Sequence, residues 1–382
     1  MVIERTIQKS IEKTLFKGKI IILYGARQVG KTTLAREIQK SWPGPSLFFN
    51  CDEPDVRASL TDVTSTELRS LFGSNRLIVI DEAQRVRNIG ITLKLAVDTI
   101  PECQILATGS SSFELSNRLV EPLTGRKIEF HLHPFTFEEL VHASTLQDVQ
   151  RLLPRRLIYG MYPEVTQLQT NAEQLISEIS GSYLYKDVLE YHHIRKPEML
   201  EKLLQALALQ IGNEVSYSEL AKLLGISKIT VEQYVHLLEQ SFIIFRIRPF
   251  RKNLRTEIRR LRKIYFYDTG IRNAVIRNLN PLELRQDVGA LWENFAMSER
   301  MKYHASHQQF INMYFWRTHT QQEIDLLEEK GGVLSGYEMK WSNTPLHVPK
   351  AFRESYPDTT IKLIHSKNVH DFLLSSKNGA TI

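Results

Sequence analysis

The chain has 382 residues, 42% of them hydrophobic, with a formal net charge of +6 and 2 cysteines. That composition suits two or three globular domains of about 150 residues each. It excludes a disulfide-stapled secreted scaffold and, with no apolar run of spanning length, a membrane-embedded chain. The modest basic excess accommodates a polyanionic partner without requiring one, and Cys51 and Cys103, far apart and lacking neighbouring ligands, fit a reducing, cytoplasmic compartment.

Apolar residues recur every four positions at Ile3, Ile7, Ile11 and Leu15, flanked by Arg5, Lys9, Lys13 and Lys17. The stripe predicts an amphipathic helix over residues 1–18, packed on the domain that follows, while Glu4 and Glu12 argue against a transit peptide. An apolar run from Ile20 then enters Gly25-Ala26-Arg27-Gln28-Val29-Gly30-Lys31-Thr32, which fits G-x-x-x-x-G-K-[ST] between a strand and a helix, with Thr33 next to it also expected at the ATP site. Glycines let the backbone wrap an anion and turn its N–H groups inward, and the following helix adds its positive end. Lys31 would reach the β- and γ-phosphates and the Thr32 hydroxyl would ligate Mg²⁺, so ATP and Mg²⁺ are the expected cofactors.

A binding loop needs a carboxylate partner for hydrolysis. "RLIVIDEAQR" supplies one: Leu77 to Ile80 read as a strand buried on both faces, ending in Asp81 and Glu82. The C-terminal edge of an open α/β sheet is where ligands bind. Asp81 would hold Mg²⁺ and Glu82 would polarise the attacking water. A further strand ends in Thr108, Gly109 and Ser110, where a hydroxyl, Ser110 in particular, could sense the γ-phosphate; a helix from Phe113 to Leu119 follows.

The order "GARQVGKT", "LIVIDEAQR", "ILATGSSS" and "LTGRKIEFHLHPFTFEEL" resembles the bacterial and archaeal AAA+ ATPases that carry a C-terminal DUF4143-type domain. The resemblance implies an α/β fold: a P-loop NTPase three-layer α/β/α core at 19–134, with parallel strands at Ile20–Tyr24, Ser46–Asn50, Leu77–Asp81, Gln104–Thr108 and Lys127–Leu132. It implies a helical lid over the nucleotide at 135–212. It also implies an arginine given to a neighbouring subunit, placed at Arg126 in "LTGR" with Arg118 as runner-up, and therefore a homo-oligomer such as a hexameric ring. In the middle segment "GMYPEV" breaks the helical pattern, Asp187 matches a family landmark, and the adjacent His192 and His193 read as solvated side chains because neighbours on a helix point apart.

From Ser216 the pattern sharpens: a helix to Leu224, a turn at Gly225, a second helix from Ser227 to about Gln240, then a β-rich stretch. This is a winged helix-turn-helix, placed at 213–268. Lys228, Gln233 and His236 suit base or phosphate contacts, while Glu232 and Glu239 oppose them. The basic run from Arg251 to Lys263 reads as a wing loop able to track a phosphate backbone, so DNA is an expected partner, with a protein partner as the alternative.

Residues 269–382 carry two more family landmarks, "KIYFYDTGI", which begins at Lys263 just before the boundary, and "GALWENFAMSERM". Between Met313 and Trp341 the pattern is strand, turn, strand, Gly-Gly turn, strand. Asp325 lies on the middle strand, and Glu338 and Lys340 share one face of the last. With Glu293 on the preceding helix, these resemble the PD-(D/E)xK nuclease core of restriction-endonuclease-like folds: Asp325 and Glu338 would hold a metal, and Lys340 would position water. Three functions follow. One is an ATPase driving winged-helix and nuclease-like domains on nucleic acid. Another is a nucleotide-dependent assembly switch with an inactive tail serving as a protein platform. The third is a DNA-binding regulator.

Overall fold

The computed structural model describes residues 2–109, 123–168, 170–183, 196–250 and 262–374. They form two compact units: residues 2–109, 123–134, 183 and 240–242, and residues 135–168, 170–182, 196–239, 243–250 and 262–374.

In chain order the first unit comprises α1 (Thr6–Glu12), β1 (Ile20–Gly25), α2 (Lys31–Ser41), β2 (Ser46–Asn50), α3 (Pro54–Leu60), α4 (Ser65–Phe72), β3 (Leu77–Asp81), α5 (Ile89–Thr99), β4 (Gln104–Gly109) and β5 (Lys127–Leu132). The strands make one parallel sheet in the order β2-β3-β4-β1-β5. Every residue of β1, β3 and β4 is buried, which is why these strands read as unbroken apolar runs rather than alternating ones. The expected strands are present, with β1 and β4 each one residue longer than the pattern indicated. Parallel pairing sets Tyr24 beside Gly109 and Ile80 beside Ala107. The loops after β1, β3 and β4 therefore leave the same edge of the sheet.

Helix α1 is shorter than the stripe implied and ends at Glu12. Ile7 and Ile11 are buried against α2 and β5. Arg5, grouped by the pattern with an exposed basic flank, is instead only 6% exposed. It stands before the helix in extended backbone, where a helical period says nothing about direction.

The second unit begins with α6 (Phe137–Ala143), α7 (Leu146–Arg151), α8 (Leu153–Tyr159), α9 (Pro163–Gln167), α10 (Ala172–Tyr183) and α11 (Pro197–Leu209). There follow β6 (Glu214–Val215), α12 (Tyr217–Leu224), α13 (Lys228–Gln240), β7 (Ile244–Pro249), β8 (Arg262–Phe266), α14 (Thr269–Val275) and α15 (Val288–Ser306). The remainder is β9 (Asn312–Arg317), β10 (Glu323–Lys330), β11 (Val333–Met339), α16 (Lys350–Ser355), β12 (Thr360–Ile364) and α17 (Val369–Leu373). Helices α12 and α13 lie where the helix-turn-helix pattern put them. Ser216 caps the first through the Glu219 N–H, 3.4 Å away, and Gly225 ends it at φ 64° in the left-handed region.

Two features differ from the expected partition. Strand β7 pairs antiparallel with β8 and, on its other edge, parallel with β9 through Arg248–Tyr314 and Pro249–Phe315. Strands β6, β7 and β8 and the strands of the tail therefore share one sheet, β12-β11-β10-β9-β7-β8-β6. The helices expected as a nucleotide lid also group with this second unit. Their attachment is specific. Asp268 caps α14 through the Gly270 and Ile271 N–H groups, and its other oxygen accepts from the Met161 N–H at 2.7 Å. Asn273 donates to the Leu157 and Ile158 carbonyls. A side chain at Gly270 would collide with the Tyr159 carbonyl. The "DTG" landmark is thus a structural joint between α8 and α14.

Glu328 on β10 is buried beneath α15. It accepts from Arg300 Nε at 2.6 Å and Nη2 at 2.7 Å, and lies 2.6 Å from His304 Nε2. Burial alone would raise its pKa, but Arg300 and His304 outweigh burial and hold the carboxyl at about 2. An acid held below its unfolded value of 4.5 contributes stability above that pH and loses it as pH falls through about 2. The contribution is about 3 kcal/mol. Urea unfolding across this window should lose stability progressively in the parent chain, and Glu328→Gln should flatten that acid limb while lowering stability at neutral pH.

Candidate nucleotide site and a carboxylate cluster

Strand β1 delivers Gly25 to the sheet edge, where any side chain would strike the Leu132 carbonyl of the neighbouring strand. The chain then loops through Gln28 at φ 61° and Gly30 at φ 97° before α2 begins at Lys31. Ala26 and Val29 are buried and anchor the loop, while Arg27, Gln28 and Thr33 keep some exposure. Lys31 is 5% exposed, and its ammonium donates to the Gly25 and Ala26 carbonyls at 3.0 and 2.9 Å. It thus lies across the concavity of the loop, at the N-terminus of α2.

Asp81 closes this arrangement from β3. Its Oδ2 accepts from the Thr32 hydroxyl at 2.7 Å and its Oδ1 from the Thr108 hydroxyl at 2.5 Å. Thr108 in turn accepts from the Glu82 N–H at 3.1 Å. Glu82 adopts the left-handed region, φ 53° and ψ 41°, uncommon for a residue with a Cβ. The hydrogen bond to Thr108 holds it there, and its Oε2 accepts from Gln84 Nε2 at 2.5 Å. The residues read from the phosphate loop and the acidic pair are therefore brought together by three adjacent strands. The sequence reading placed a γ-phosphate-sensing hydroxyl at Thr108–Ser110 and favoured Ser110; the Thr108 hydroxyl instead bridges Asp81 and the Glu82 N–H. Ser110, the runner-up Arg118 and the helix from Phe113 to Leu119 lie outside the described residues, as do Asp187, His192 and His193.

A hydroxyl and a carboxylate oxygen side by side are hard donors suited to Mg²⁺, and a glycine-bearing loop at a helix N-terminus suits phosphate. The residues present fit ATP with its magnesium.

Arg126 stands elsewhere. Its carbonyl accepts from the Ile20 N–H at 2.8 Å, which puts it at the opposite edge of the sheet from Gly25. At ~3.3 Å per residue along β1 that is ~16 Å away. Its guanidinium pairs with Asp98 at 2.7 Å. Arg126 therefore does not serve the phosphate loop of its own chain.

In the second unit, Glu293 of α15, Asp325 of β10, Glu338 of β11 and Lys340 converge on one region. Lys340 Nζ lies 3.2 Å from Glu338 and 3.6 Å from Asp325, and Asp325 accepts from the Met339 N–H at 2.8 Å. Burial, then the Asp325 charge, raises Glu338 to about 8. Burial likewise raises Glu293 to about 6. Three residues not foreseen join them. Glu323 lies with Glu293 and Asp325 so that one oxygen of each falls within 4.8 Å of the others. Lys263 of β8 bonds Glu293 at 2.9 Å and also Glu323, and the Tyr265 hydroxyl donates to Glu293 at 2.6 Å. Lys263 had been counted in the basic wing loop. It is instead a strand residue with its side chain 1% exposed, held charged because the carboxylates outweigh its burial. The wing residues 251–261 lie outside the described residues. On the helix-turn-helix face Lys228 pairs with Glu232, and Glu239 with Arg246.

The parallel sheet, the phosphate loop and the Thr32–Asp81 contact together define a P-loop ATPase-like core. Family comparison agrees: residues 17–141 match the AAA domain, 150–282 a domain of unknown function (DUF8612) and 288–375 a second (DUF4143). The chain thus combines an AAA-type core with a C-terminal DUF4143 domain. The break between the last two matches falls within the seven-stranded sheet. An uncharacterized protein of Mycobacterium tuberculosis is 28% identical over 356 residues, covering 91% of this chain and 76% of its own length. One from Methanocaldococcus jannaschii is 24% identical over 396 residues, covering 95% and 84%. The solved Walker-type ATPase of Pyrococcus abyssi aligns at 18% identity over 72% of this chain and 96% of its own, with a TM-score of 0.47. No helix among the described residues is long and apolar enough to cross a membrane.

Proposed function

We propose that this protein is a Mg²⁺-dependent ATPase that cleaves the β–γ bond of ATP. The observation that carries the reading is the joined set Thr32–Asp81–Thr108–Glu82 beside the phosphate loop. Magnesium, when bound, neutralises charge on the transferring phosphoryl group. Thr32 and Asp81 would hold it. Lys31 exchanges the Gly25 and Ala26 carbonyls for phosphate oxygens. Glu82 orients the attacking water and takes its proton, and Thr108 fixes both acidic residues in place. Ser110 remains the proposed γ-phosphate sensor. Arg126, at the far edge of the sheet, acts on a neighbouring subunit, which requires a homo-oligomer. Steady-state ATP turnover in Mg²⁺ is the test. Lys31→Ala should weaken ATP binding by about tenfold or more; unchanged affinity would remove the loop from the reading.

A second activity is favoured by the convergence of Glu293, Asp325, Glu338 and Lys340. We propose that this is a metal-dependent phosphodiester-cleaving site acting on nucleic acid, with Asp325 and Glu338 as hard oxygen ligands. Single- and double-stranded DNA incubated with Mn²⁺ or Mg²⁺ should be cut, and Glu338→Ala should abolish cutting. Cutting that persists in the variant would move the activity to other residues. No cutting by the parent chain would leave the tail as the protein platform of a nucleotide switch.

A further inference from the structure

Arg5 lies outside every motif of the nucleotide site, yet its side chain is built into it. The guanidinium is buried. Its Nη1 donates to the Val29 carbonyl at 2.8 Å and its Nη2 to the His133 carbonyl at 2.5 Å. Val29 is the residue before Gly30 in the phosphate loop, and His133 follows the last residue of β5. One planar cation therefore spans the loop and the end of the neighbouring strand. Its fork presents fixed, divergent donors that an ammonium cannot reproduce.

The peptide between Val29 and Gly30 is planar, with its carbonyl and its N–H pointing in opposite directions. Holding the Val29 carbonyl on Arg5 therefore turns the Gly30 N–H away from Arg5. Gly30 sits at φ 97°, a region in which glycine has broad freedom. Its carbonyl is held by the Leu34 N–H at 2.9 Å, and the peptide on its other side by Arg5, whose Nη1 lies 3.8 Å from the Cβ position at Gly30. We propose that Arg5 is a positioning residue for the nucleotide, locking the Val29–Gly30 peptide so that its N–H faces the phosphates. This rests on the phosphate-loop reading and adds to it a residue from the N-terminal segment. It makes that segment part of the binding site rather than a passive cover.

The test is ADP binding by calorimetry in Mg²⁺ with the full chain, since ADP keeps the phosphates nearest the loop. Arg5→Met keeps the stem and removes every donor. ADP affinity should fall about tenfold, the loss expected for one charge-assisted hydrogen bond. KM for ATP should rise by a similar factor, with kcat at saturation nearly unchanged. Millimolar guanidinium chloride should recover part of the lost affinity, a rescue that a general packing defect would not show. Parent-like ADP affinity in Arg5→Met, or a loss untouched by guanidinium, overturns the proposal. If Arg5→Met does not fold, Arg5→Lys decides. It restores the charge but not the fork, and a folded Arg5→Lys with parent affinity overturns the proposal, whereas a severalfold loss supports it. Failure of the loop reading is separable: the parent chain itself would then bind no ADP, and Lys31→Ala would change nothing.

Discussion

Glu82→Gln is expected to bind ATP as the parent does and to lose hydrolysis. The side chain sits where it does because of its backbone, not its charge. The left-handed φ of 53° and the N–H bond to Thr108 survive the substitution, and the amide fills the same volume. What disappears is the ability to accept a proton from water. Positioned general bases contribute typically 10²–10⁴-fold, so kcat should fall by about that range while Kd for ATP stays within a few-fold. Single-turnover hydrolysis with Kd measured on the same preparation checks both halves. Parent-like turnover would show that another group orients the water and that the Thr108–Glu82 contact serves only to shape the strand end.

The largest effect on stability is expected at Lys263. Its ammonium is buried and shared between Glu293 and Glu323, with Asp325 close by. Lys263→Met fits the same space against the Phe315 ring, which the ammonium now faces at 5.6 Å. It leaves the carboxylates facing one another in a buried setting. Breaking a buried pair by removing one partner costs about 3–5 kcal/mol. Urea or thermal unfolding should show a loss of that order. Adding Glu293→Gln to Lys263→Met should recover part of it by removing a repelling charge. A Lys263→Met chain as stable as the parent would mean that water reaches these carboxylates and that the ion pairs are worth little.

The contrast between these two residues shows which parts of the molecule were legible in the sequence. The phosphate loop and the Asp81–Glu82 pair are contiguous motifs, each at the end of a buried strand, so local pattern locates both. The helix-turn-helix was legible for the same reason, from Ser216 and Gly225 at the two ends of one helix. Lys263 and Glu323 meet Glu293 only through a sheet that joins β8, β7, β9 and β10, and no short-range pattern records that register. Lys263 was misread because composition placed it in a basic run, whereas the strand begins at Arg262 and turns the next side chain inward. Arg5 was missed because a four-residue stripe describes a helix, and Arg5 precedes one. Arg126 was expected from its position after a glycine, but the direction of β5 puts it at the wrong edge for its own loop, a matter of sheet polarity that a motif does not carry.

The two-sided pairing of β7 bears on how this protein can be cut. A fragment ending after β8 would contain α12, α13, β7 and β8, yet it would bare the β7 edge along Arg248 and Pro249 that β9 normally occupies. Unpaired strand edges recruit other strands, so such a fragment would tend to clump, and the complementary piece would lack the neighbour that closes its sheet. Expression boundaries drawn after β8 divide a single hydrogen-bonded sheet.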